Sequence, residues 1–208
     1  MTLTFHNDPA AKAIRIERCK AHMEADRLRA GTYGEMSGGK FTACAIGCQI
    51  FDIAHERGVD WRELPQGSHN LVAQDYGWPV WLCYLEDTIF ENLTPEDRPS
   101  WPLRLVEAVP VGRDISKVRH QLLAFIAREI VSFDKVKFPD VAAVNERVAI
   151  LHERAAAGET ISTEEWSAAA RAAESAAASA AWSAARSAAR SAAIKRISEE
   201  LLRLLAAA

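Results

Sequence analysis

Phe41, Cys44, Cys48, Phe51 and His55 recur at spacings of three and four, so on a helix they share one face. That face would bring two thiols and an imidazole within reach of one metal ion, and these are ligand types that zinc takes. The Cys-x-x-x-Cys spacing is not the usual zinc knuckle, and no second cysteine pair follows it. The same five positions read more readily as a buried stripe, because free cysteine packs as a small hydrophobe. No cofactor is therefore the primary expectation, with Cys44, Cys48 and His55 as the zinc or reactive-thiol candidate.

Just before this stripe lies a glycine-rich turn. Gly34, Gly38, Gly39 and Lys40 almost spell a phosphate-binding loop, but Phe41 stands where a Ser or Thr would hold magnesium. The preceding residues read as a helix and not as the buried strand such a loop follows, so nucleotide hydrolysis of that kind is excluded. A weaker expectation remains. A glycine turn running into a helix N-terminus offers backbone N–H groups and a lysine to an anion. Gly38, Gly39, Lys40 and Thr42 form that candidate ligand site, with Trp78, Trp81 or Tyr33 available to stack a planar base. The competing reading is a plain connection in which glycine supplies positive φ. Gly47, inside the cysteine helix, costs about 1 kcal/mol relative to alanine, which a close backbone approach or a ligand would explain.

Other polar residues read as solvated faces. Glu86, Asp87 and Glu91 invite a general-acid reading, but no partner histidine is evident beside them. Arg15, Arg18, Arg27 and Arg29 lie on a first helix read as half exposed. No nucleophile, base and orienting group can be assembled, so no catalytic residue is assigned and the protein is read as non-enzymatic.

The 208 residues carry a net charge of −3, which argues against a non-specific nucleic-acid or membrane-surface binder. Four cysteines without a secretory signal pattern suggest a reducing cytoplasm. No uninterrupted apolar run approaches the ~20 residues of a membrane span.

Helix starts are predicted at Asn7-Asp8-Pro9, Ser68, Trp78-Pro79, Asp114 or Ser116, Pro139, and Ser162 or Thr163; stops fall at Gly31, Gly77, Pro110-Gly112 and Gly158. No alternating run or Asn-Gly hairpin signal predicts a strand. The fold class is therefore all-α: a compact multi-helix domain over residues 1–158, then one long alanine-rich C-terminal helix over 159–208. In that tail a four-residue repeat containing Trp182 drifts around the helix, whereas Ile194, Ile197, Leu201, Leu204 and Leu205 return to a coiled-coil spacing. With Trp166, these residues are read as an oligomerisation surface of a homo-oligomer. The competing reading is a spacer docked on its own domain.

Cys44-Ala-Ile-Gly-Cys48, the block from Gly77 to Leu93, the block from Trp101 to Gly112 and the Trp-Ser-Ala-Ala-Arg tail together resemble a family of bacteriophage- and prophage-encoded proteins to which no chemistry is attached. In that family the glycine–lysine run leads almost directly into the first cysteine; here Phe41, Thr42 and Ala43 intervene. The resemblance implies a setting, a phage accessory protein in bacterial cytoplasm directed at the host. The reading is a non-enzymatic, oligomeric anti-defence protein that binds an anionic small molecule such as a host nucleotide signal. The alternatives are a module that inhibits a host protein, and a zinc or thiol site.

Overall fold

The computed structural model describes residues 3–131, 139–179 and 186–208, and describes side chains except at 130–131, 173–179 and 186–191. Among the described residues nine α-helices, three short 3-10 helices and one short hairpin make up the regular structure. The fold is predominantly α, as the sequence predicts. The chain divides into two compact units, Met1–Ile115 with Leu205–Ala208, and Ser116–Leu204.

In the first unit, α1 (Pro9–Glu24) starts where the Asp8 side chain accepts from the Ala10 N–H, with proline in the first turn. The helix ends at Glu24, before the predicted stop at Gly31. A hairpin follows, β1 (Glu35–Ser37) paired antiparallel with β2 (Lys40–Thr42). This corrects the expectation of no strand. Gly38 (φ 57°) and Gly39 (φ 81°) form its two-residue turn, and left-handed φ at both positions matches the twist of a hairpin. The glycines therefore turn one strand into another and do not feed a helix N-terminus.

Helix α2 (Ala45–Arg57) is the core element, with Ala45 to Ile50 and Asp52 to Ala54 all buried. It packs against α3 (His69–Tyr76) and α4 (Val80–Asn92), and α5 (Trp101–Ala108) packs against α1 and α4. Ser68 caps α3 by accepting from the Leu71 N–H, and left-handed Gly77 ends it, both as predicted. Thr4 to Asn7 form a short strap. Phe5, His6 and Asn7 all hold left-handed φ, which side chains seldom adopt in succession. The Thr4 hydroxyl donates to the Pro110 carbonyl and accepts from the Arg113 N–H at 3.1 Å, pinning the strap.

In the second unit, α6 (Ser116–Val131) and α7 (Pro139–Ala156) pack along each other, and α8 (Thr163–Ser179) packs on α7. The expected capping box is present: the Ser162 hydroxyl accepts from the Glu165 N–H and the Glu165 carboxylate accepts from the Ser162 N–H. Helix α9 (Arg186–Ala206) closes the chain.

Three residues of the expected oligomerisation surface are covered within the single chain: Leu201 and Leu205 are fully buried and Leu204 nearly so. Ile194 is half-buried and Ile197 half-buried, and Trp166 stacks on His120 and leans on His152 inside its own unit. Trp182 lies outside the described residues.

Candidate functional site

The segment 31–33, between α1 and the hairpin, organises one polar cluster. The Gly31 N–H donates to both carboxylate oxygens of Glu91, at 3.1 and 2.9 Å. The Thr32 carbonyl accepts from the Cys44 N–H at 2.7 Å, and the Tyr33 hydroxyl donates to Asp87 Oδ2 at 3.1 Å. Gly47 explains itself here: a Cβ at that position would lie 2.2 Å from the Tyr33 carbonyl oxygen. Only glycine lets the segment press against the first turn of α2, so the close backbone approach is the reason for a glycine inside the helix.

Cys44 is the residue before α2, with extended backbone. Asp87 and Glu91 lie one turn apart on α4, a spacing that puts both carboxylates on one face. One ligand atom from each of Cys44, Asp87 and Glu91 falls within 4.8 Å of the others. Asp87 Oδ2 is also 3.1 Å from His69 Nε2, at the start of α3. The His69 ring is stacked on Tyr84, with centroids 4.1 Å apart, and meets Tyr33 edge-on. Asp87 Oδ1 is buried and has no hydrogen-bond partner among the described residues, and the Cys44 thiol lies near the Asp87 carboxylate.

Electrostatics follow from this crowding. Burial pushes the Cys44 thiol well above its ordinary value; the N–H of Gly47 opposes that, and Asp87 and Glu91 add to it. Burial likewise pushes the Tyr33 hydroxyl up to about 12, with Asp87 next in effect. The thiol is thus protonated at neutral pH, unlike the depressed thiol of a preformed nucleophile. Beneath the cluster, Glu86 points into the core, fully buried, with Gln49 donating to it at 2.8 Å. Burial raises its carboxyl to about 8.

Several sequence expectations change. Glu86, Asp87 and Glu91 are not a solvated face: one is in the core and two are in the cluster, and His69 supplies the partner histidine for Asp87. Cys44, Cys48 and His55 are not brought together as a ligand set. Cys48 packs with Phe41 and Ala43 and its thiol donates to the Ala43 carbonyl, whereas His55 is exposed. The anion site is not assembled either. Lys40, at the hairpin turn, pairs with Asp26 at 3.1 Å, and Thr42 turns its hydroxyl to Glu35. Trp78 is buried edge-on against Phe5 and Tyr76, leaving no open face for a base, and Trp81 is half-buried on α4. Arg15, read as solvated, is buried between Glu56 and Asp75 at 2.7 and 2.5 Å.

No helix among the described residues is long and apolar enough to cross a membrane. Comparison with protein-family models, curated proteins and solved structures finds no match to this chain.

Proposed function

We propose that the protein binds a thiophilic divalent cation of the zinc class through Cys44, Asp87 and Glu91. The observation that carries this reading is the convergence of one thiol and two carboxylates within 4.8 Å of one another. Tetrahedral zinc, with bonds of about 2.0–2.3 Å, would draw such ligand atoms to about 3.5 Å apart, a closure of the order of 1 Å. Without a cation, the Cys44 thiol prefers its neutral form, because burial and the neighbouring Asp87 and Glu91 oppose its ionisation. A cation reverses that preference and displaces the thiol proton. Tyr33, His69 and the Gly31 N–H are the outer partners that would orient the two carboxylates.

Three protein ligands leave a fourth position for water or an anionic oxygen. The anionic small molecule expected from the sequence would then bind on the metal and not at Gly38–Lys40. The phage resemblance supplies the setting for this reading, an accessory protein acting in host cytoplasm.

Zinc content and an equilibrium zinc titration of the purified full chain test the proposal. One equivalent is expected to bind. Cys44→Ser is expected to weaken binding by about 100-fold or more, and Tyr33→Phe, which removes an outer partner only, by about 10-fold. A chain that takes up no zinc, or a Cys44→Ser variant that binds as tightly as the parent, would overturn it.

A further inference from the structure

The second unit holds a titratable cluster that has no part in the proposed metal centre. His120 on α6 and His152 on α7 face each other with their Nδ1 atoms 3.0 Å apart. Trp166, in the first turn of α8, covers both rings, with centroids 4.7 Å from His152 and 6.3 Å from His120. Two imidazole nitrogens at that distance make a hydrogen bond only when one carries a proton and the other offers a lone pair. The contact therefore accepts a neutral pair or a singly charged one. A second proton puts N–H against N–H and charge against charge.

We infer that His120, His152 and Trp166 form an acid-opened latch that holds α8 on the α6–α7 pair. Among the described residues neither ring has a carboxylate partner; each meets the other and Trp166. From α6, Arg119 opposes protonation of both rings. The charged neighbours in sequence are engaged elsewhere: Glu153 by Arg128, and Glu165 on α8 by Arg154 of α7. Burial, then His120, then Arg119 hold His152 down at about 4, and burial with Arg119 lowers His120 as well.

The sign follows from the depressed values. In the unfolded chain both rings protonate near the ordinary 6.5. Their contribution to the latch is thus complete above that pH, declines as pH falls below it, and is lost by about 4. Release frees Trp166, and with it the first part of the alanine-rich segment.

Two measurements on the full-length chain test this. In a histidine-ring NMR titration, His152 is expected to titrate near 4 and His120 below 6.5. Amide exchange, corrected for intrinsic rate, is expected to rise at least ~10-fold in residues 145–156 and 163–171 between about pH 7 and pH 5, relative to α2 and α4. His152→Gln keeps a polar contact without a titrating ring and is expected to cut that rise to about 2-fold or less. Rings that both titrate at the ordinary value, or an acid response that His152→Gln leaves unchanged, would overturn the latch. The ring titration decides the matter even if the variant fails to fold.

Discussion

The two units place their charges in opposite ways. In the first, beside exposed pairs such as Arg62 with Asp60, several charged groups are buried and held from distant parts of the chain. Arg15 is clamped by residues 41 and 60 positions away, and Asp87 by Tyr33 and His69 from two other elements. In the second, most ion pairs are exposed, such as Arg128 with Glu146, and Arg203 with Glu200 three residues away. Its packed centre includes Ala124, Ala127 and Ala149, and alanine contacts remove little apolar area from water. Over-determined polar groups are costly to bury and specify one geometry, so the first unit is where a fixed ligand constellation can be maintained. The second unit is held by smaller contacts, which suits a segment that releases.

The sharpest way to break this contrast is at Gly47. Gly47→Ala forces a Cβ to within 2.2 Å of the Tyr33 carbonyl, and a destabilisation of about 4 kcal/mol is expected, since backbone cannot yield as a side-chain tip does. Thermal melting checks it, and the variant should lose zinc binding along with the position of Tyr33. Next comes Leu201→Ala. Its side chain is fully buried in the single chain, so a loss of about 3 kcal/mol is expected, with no change of mass in light scattering. A variant that dissociates an assembly without lowering the melting temperature would instead favour the oligomerisation reading.

The third effect sets the units against each other in pH. Glu86 is fully buried and its carboxyl is raised to about 8. Because the unfolded carboxyl ionises near 4.5, the folded protonated form loses ground as pH rises from there toward 8, by something on the order of 3 kcal/mol. Glu86→Gln is expected to flatten that loss in denaturant melts at several pH values. The His120–His152 contribution runs the other way, being lost as pH falls. The smallest effect is expected at Lys40→Ala. Its ion pair with Asp26 is exposed, so less than about 0.5 kcal/mol should change, and zinc affinity should not move.

Helix starts and stops written in local chemistry were legible in the sequence: Asp8-Pro9, Ser68 with Gly77, and the Ser162–Glu165 box all do what their residue types require. The hairpin was missed because its strands are three residues each, too short for alternation to register, although Gly38-Gly39 is itself a turn signal for two left-handed residues. The candidate site was half legible. Cys44 stood out by type, and Gly47 by its cost inside a helix. Asp87 and Glu91 carried only a spacing, which a solvated face shares. Nothing local to His69 or Gly31 announces that either reaches α4, because those meetings depend on how α2, α3 and α4 pack. The pattern of Cys44, Cys48 and His55 misled for a definable reason. Cys44 precedes the helix, so the periodicity that would align it with His55 does not apply to it.

The central claim is that Cys44, and not Cys48, ligates a cation together with Asp87 and Glu91. Titrating cobalt(II) into the metal-free full-length protein tests it most directly, since a thiolate bound to cobalt gives a charge-transfer absorption in the near ultraviolet. The account predicts that band at one equivalent in the parent and in Cys48→Ser, and its loss in Cys44→Ser. A band that survives Cys44→Ser, or the absence of any band in the parent, would contradict it.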